Sequence, residues 1–172
     1  MDLNDYIAVI KDYPKPGISF KDITPLIGDG KAYAYVIDLL ASKAKELGAQ
    51  YICSPEARGF LFGCPVATKL GIGFVPIRKK GKLPRETISV TYDLEYGTDE
   101  LFMHKDALKK GSKVVLIDDL VAVGGTLNAV AELVTKAEAE VVGCLSVILL
   151  KGLPGEKVLA KYNLESLLVL ED

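Results

Sequence analysis

The sequence predicts an α/β fold, a mostly parallel sheet flanked by helices, on three observations. Apolar runs rich in β-branched residues recur along the chain, segments with helical apolar spacing lie between them, and the runs do not alternate with polar residues. Strands buried on both faces read as continuous apolar runs, and helical crossovers are what parallel strands require.

Leu3, Tyr6, Ile7 and Ile10 recur at helical spacing behind Asp2, which predicts a short N-terminal helix. Residues 13–26, with prolines at 14, 16 and 25, read as a loop that no regular helix would enter. A helix starts after Asp29, with Tyr33, Val36, Ile37, Leu40, Ala44 and Leu47 on one face and Gly48 at its end. YICS (51–54) is a short buried strand, residues 59–70 a turn opening a helix, and GFVPIR (73–78) a second strand. Residues 80–89 are polar and basic with no packing stripe, which predicts a mobile loop; 88–97 and 99–104 form a hairpin of extended segments. KVVLID (113–118) is the strongest strand signal, followed by a glycine turn and a helix to about Lys136. A buried strand over 140–150, a helix near 156–161 and a strand over 165–170 complete the order.

A chain of 172 residues, without repeats or linkers, is expected to form a single domain. Its net charge of −2 gives no global basic field, so neither nucleic acid nor a membrane surface is an expected partner. The apolar run from Val141 to Leu150 is too short to span a bilayer. Cys53, Cys64 and Cys144 are odd in number and widely spaced, so reduced thiols and a cytoplasmic location are expected. Basic residues do bunch at Arg78, Lys79, Lys80, Lys82 and Arg85.

The chemistry concentrates in KVVLIDDLVAVGGTL (113–127). An apolar strand delivers Asp118 and Asp119 to its C-terminal end, and a turn with Gly124 and Gly125 leads through Thr126 into a helix. Ligands of parallel α/β sheets sit beyond the carboxyl ends of the strands. Glycines let the backbone wrap closely round an anion, a helix start binds phosphate, and paired acids accept hydrogen bonds from vicinal sugar hydroxyls. The string therefore describes a site for a sugar phosphate. No GxxxxGK[ST] is present and no GxGxxG follows a predicted strand, which excludes a P-loop and weighs against a dinucleotide site.

This string resembles the motif of type I phosphoribosyltransferases that binds phosphoribosyl pyrophosphate (PRPP). PKPGISFKDITPL (14–26), EARGFLFG (56–63), FVPIRKKGKLP (74–84) and TYDLEYGTDEL (91–101) resemble the adenine-specific branch. The resemblance implies transfer of phosphoribosyl from PRPP to adenine, giving AMP and pyrophosphate, on a fold with an N-terminal hood (1–28) and a flexible lid and hairpin (80–104). It gives the 5′-phosphate to Ala122, Val123, Gly124, Gly125 and Thr126, and the ribose hydroxyls, directly or through Mg²⁺, to Asp118 and Asp119. Pyrophosphate falls to Arg58, to the Glu56–Ala57 turn, where similar enzymes hold a non-proline cis peptide, and to Arg78, Lys79 and Lys82. Glu95 matches the catalytic glutamate, with Tyr96 ordering the closed site and Arg58 beside the reacting groups. Adenine would pack beneath Ser19, Phe20 and Lys21 with apolar contact from Leu120. Mg²⁺ is implied, held mainly by PRPP and pyrophosphate and not by a dedicated protein ligand, and so is a homodimer.

Two positions depart from the family pattern. Val123 stands where threonine is common, and Lys21 where many relatives have arginine. A phosphoribosyltransferase for hypoxanthine, guanine or xanthine would share the glycine turn, but GISFKDITPL and DLEYG fit the adenine branch. A PRPP-sensing regulator would carry a DNA-binding module, and the chain shows no basic helix–turn–helix pattern.

Overall fold

In the computed structural model, which describes residues 1–94 and 96–172, the chain opens with a 3-10 turn over Leu3–Tyr6 and not with an α-helix. Asp2 caps that turn through the Asn4 N–H. Ile10 lies beyond it in strand β1 (Ala8–Lys11), which pairs antiparallel with β2 (Ser19–Asp22). The region expected to be loop thus holds a strand, and also helix α1 (Thr24–Gly28), with Pro25 in its first turn. Proline is tolerated there because the first helical N–H groups have no intrahelical partner.

Helix α2 (Gly30–Glu46) starts at Asp29, whose carboxylate accepts from the Ala32 N–H at 2.9 Å. Strand β3 (Tyr51–Pro55), helix α3 (Phe60–Leu70) and strand β4 (Gly73–Ile77) follow as a parallel crossover unit. Pro65 lies inside α3 and has no N–H to give the Leu61 carbonyl; the Tyr33 hydroxyl of α2 donates to that carbonyl instead. Strands β5 (Thr87–Asp93) and β6 (Thr98–His104) form the expected hairpin. Ahead of it the basic segment is fastened by Arg85 on Asp106 and by Lys105 on Glu86.

Strand β7 (Lys113–Val121), helix α4 (Gly125–Lys136), strand β8 (Glu140–Lys151), helix α5 (Gly155–Leu159) and strand β9 (Leu164–Glu171) complete the order. The central sheet is five-stranded and parallel, in the order β4-β3-β7-β8-β9. Along β7 the side chains divide the core. Val115 and Ile117 pack on the face covered by α2 and α3, while Val114 and Leu116 pack on the face covered by α4 and the hairpin.

The chain leaves β3 for β4 on one side and returns to β7 on the other, which puts a topological switch point between β3 and β7. Their pairing stops at Cys53–Leu116, whereas β7 stays paired with β8 as far as Val121–Leu149. The strand therefore runs three residues past Asp118, further than its apolar pattern predicts. The crevice opens beside the acidic pair.

Candidate active site

Gly124 turns the chain from β7 into α4 with φ +87°, a conformation an L side chain rarely adopts. The first bond of the helix is Asn128 N–H to Gly124 O at 3.0 Å, so the N–H groups of Gly125, Thr126 and Leu127 have no intrahelical acceptor. Among the described residues no side chain caps them, and the first turn holds no acid. The positive end of α4 is thus left to an anion. Residues 120–127, with Arg58, Asp118 and Asp119, line a cavity of about 180 Å³ at this point. Val123 is 61% exposed.

The acidic pair is asymmetric. Asp119 is buried, and its Oδ2 lies 3.1 Å from Arg58 Nε. Asp118 accepts from the Asp119 N–H at 2.8 Å. Burial, and then the neighbouring Asp119 charge, push the Asp118 carboxyl well above the ordinary aspartate range. Gly59 permits this closeness, because a Cβ there would stand 2.7 Å from Pro55 O and 3.0 Å from Asp118 Oδ1.

The Glu56–Ala57 peptide is cis. Glu56 Oε1 accepts from Arg78 Nε at 3.1 Å and from the Lys79 N–H at 2.8 Å, which joins the loops after β3 and β4. The Lys79 ammonium pairs with Asp99 of β6, and that bond pushes its pKa up. Lys82 is exposed on the following turn, its N–H donating to Lys79 O at 3.3 Å.

On the other side of Arg58 lies an apolar cavity of about 390 Å³, lined by Ile10, Tyr13, Phe20, Ile23, Ile27 and Leu61, with Arg58 in its wall. Phe20 meets Tyr13 edge to face at 5.3 Å, and the Arg58 guanidinium stands 5.7 Å from the Phe20 ring centre. Of the four residues expected against a base, Phe20 alone lines this cavity; Leu120 lines the cradle at α4. Lys21 is buried, and its ammonium donates to Ser19 Oγ at 2.8 Å, on the face of β2 opposite Phe20.

Tyr96 is 88% exposed at the hairpin tip, and Glu95 lies outside the described residues. Near the turn end of the hairpin the Tyr92 ring covers Gly125, 3.5 Å from where a Cβ would be. Sequence reasoning missed Gly155. Its N–H donates to Ala122 O at 2.9 Å, and a Cβ on it would stand 2.3 Å from that oxygen. A Cβ on Gly124 would in turn stand 2.9 Å from Gly155 Cα, so the two glycines brace the phosphate-sized turn against α5. No local signal marks Gly155; only the proximity of α5 to the turn gives it a role.

Residues 27–167 match the phosphoribosyl transferase domain family. The structure is similar to an adenine phosphoribosyltransferase from Thermoanaerobacter pseudethanolicus, with a TM-score of 0.94 and 49% identity over 98% of both chains. One from Rhodothermus marinus aligns with a TM-score of 0.91 and 44% identity over 98% of this chain and 96% of that one. The Saccharomyces cerevisiae enzyme, solved with an imino-altritol bisphosphate and adenine, aligns with a TM-score of 0.91 and 36% identity over 96% of each chain.

Proposed function

The chain belongs to the adenine phosphoribosyltransferases, and from that membership we propose how its crevice transfers phosphoribosyl from PRPP to adenine, releasing pyrophosphate and forming AMP. The observation that carries this reading is Arg58, which lines both the polar cradle and the apolar cavity and so stands where sugar, base and leaving group must meet.

The 5′-phosphate takes the free N–H groups at the start of α4 and the Thr126 hydroxyl, while Asp118 and Asp119 accept from the ribose hydroxyls. Adenine fills the apolar cavity against Phe20, a reading supported by that cavity's apolar lining beside Arg58; the yeast relative was solved with adenine. Pyrophosphate lies along the Glu56–Ala57–Arg58 turn, facing Arg78, Lys79 and Lys82. As it departs, positive charge builds on the ribose and adenine N9 adds to C1′ with inversion. Arg58, Arg78 and Lys79 stabilise the departing charge, and the cradle holds the sugar in line. Glu95 manages the adenine proton, and Tyr96 orders the site as the lid over 80–104 excludes water.

Mg²⁺ is the cofactor we infer, held mainly by the phosphate oxygens of PRPP and pyrophosphate, with Asp118 and Asp119 beside the cradle to meet it at the ribose hydroxyls. When bound it supplies charge neutralisation on the diphosphate. We read the chain as one catalytic domain with the hood over 1–28, acting as a homodimer in which the basic loop reaches a neighbouring site. A cytoplasmic location is supported by three free cysteines.

The test is pyrophosphate release from PRPP with Mg²⁺, with adenine, hypoxanthine, guanine and xanthine offered separately. Release with adenine alone, and AMP as product, is expected. Release with another base would overturn the base-pocket assignment, and silence with all four despite PRPP binding would point to a sensor.

A further inference from the structure

Of the four cations given to pyrophosphate, Arg78 and Lys79 are held by carboxylates of the loop and the hairpin, but differently. Glu56 takes the main-chain N–H of Lys79 and Nε of Arg78, so it fixes the loop and leaves the Lys79 side chain to choose its own partner. That partner is Asp99. The Asp99 carboxylate is already supported from within the hairpin. Its Oδ1 accepts from the Glu100 N–H at 2.8 Å, and its Oδ2 lies 3.4 Å from the hydroxyl of Tyr92, the residue opposite it in the ladder. Removing Lys79 would leave Asp99 with those two donors. The pair is also partly open to water, with side-chain exposures of 45% for Lys79 and 27% for Asp99, and pairs of that kind are weak.

We infer that Asp99 is a positioning residue that stands in for pyrophosphate, holding the Lys79 ammonium at the site when the anion is absent and competing with it when it is present. The inference rests on the reading that Lys79 meets pyrophosphate. A diphosphate oxygen outbids a single carboxylate for the ammonium, and Asp99 is released into a pocket that still satisfies it. As pyrophosphate leaves, Asp99 recaptures Lys79 and lowers the retention of product.

The experiment titrates pyrophosphate, with Mg²⁺, into the full chain, into Asp99→Asn and into Asp99→Glu, at low and high salt, with product inhibition measured in parallel. Asn keeps an acceptor for the Glu100 N–H, and Glu keeps the charge. Asp99→Asn is expected to bind pyrophosphate about two- to fivefold more tightly at low salt, the range covered by loss of a partly exposed ion pair. The gain should shrink as salt rises, product inhibition should tighten to match, and Asp99→Glu should stay close to the parent. Equal or weaker binding by Asp99→Asn, or a gain insensitive to salt, overturns the inference and makes Asp99 a hairpin brace. Failure of the parent protein to bind pyrophosphate would strike the subsite itself, and this inference with it.

Discussion

Arg58 Nε lies 3.1 Å from Asp119 Oδ2, across the gap where β3 and β7 cease to pair. The same guanidinium faces the Phe20 ring. One side chain thus joins the acidic pair proposed for the sugar to the apolar cavity proposed for the base, and its geometry matters as well as its charge. Arg58→Ala is expected to lower kcat/KM about ten- to a hundredfold, the range for losing a hydrogen bond to a charged group. Arg58→Lys should recover only part, because an ammonium has no planar face for Phe20 and no Nε to pair with Asp119. Steady-state kinetics with both substrates varied will test this, and full recovery by lysine would show that charge alone suffices.

Arg58 pairs with Asp119, while Asp118 bears the consequences of burial and of the Asp119 charge beside it. A folded-state pKa raised above the unfolded one means that the folded protein binds the extra proton in the window between them. The stability it contributes is fully present below the ordinary aspartate value of 3.8 and is lost as pH rises through the folded value. Asp118→Asn should therefore match the parent at low pH, exceed it in Tm above the window, and lose PRPP binding. Thermal unfolding against pH for both proteins is the measurement, and parallel curves would refute the assignment.

The extent to which the sequence disclosed this site follows from distance along the chain. The string from Lys113 to Leu127 was legible because strand, acids, turn and helix are consecutive and each obeys a local rule. The pairing of Arg58 with Asp119 links positions on different strands, and the apolar cavity draws on Ile10, Phe20 and Leu61 from separate elements. The hood was misread for local reasons. Leu3, Tyr6, Ile7 and Ile10 imitate a helical stripe over too few residues, and β1 is mostly exposed, so it lacks the alternation of a half-buried strand. The prolines at 14 and 16 masked β2, and Pro25 proved compatible with a helix start.

Gly155 offers a test of a contact that no motif contains. Gly155→Ala would drive a Cβ to 2.3 Å from Ala122 O and push the turn off α5. Overpacking of this kind costs about 1–3 kcal/mol, and the affected element is the turn proposed to cradle the phosphate. We expect a raised KM for PRPP with little change in KM for adenine. Gly28→Ala, where a Cβ meets nothing within 4 Å, is the neutral control. Equal effects on both substrates would mean general destabilisation.

The Tyr33 hydroxyl and Pro65 should be coupled in stability. Tyr33→Phe leaves the Leu61 carbonyl without its donor and should cost about 0.5–1.5 kcal/mol. In a Pro65→Ala background the helix can supply its own N–H, so the same change should cost less. A double-mutant cycle in denaturant measures the difference, and additive effects would deny the compensation.

Val123 bears on affinity. The residue is 61% exposed at the mouth of the cradle, so a threonine hydroxyl can be added there without displacing packed neighbours. Valine and threonine share a β-branched shape, and the turn itself depends on Gly124 and Gly155, so the backbone N–H groups should keep their directions. The added hydroxyl can then donate to a phosphate oxygen, and a hydrogen bond to a charged group is worth about 1.5–3 kcal/mol. Val123→Thr should tighten PRPP and AMP binding by roughly ten- to a hundredfold while leaving the adenine KM unchanged. Calorimetric Kd values for AMP in the two proteins will decide it. An unchanged Kd would mean that the N–H groups of α4 and Thr126 already saturate the phosphate, and that valine costs the protein nothing.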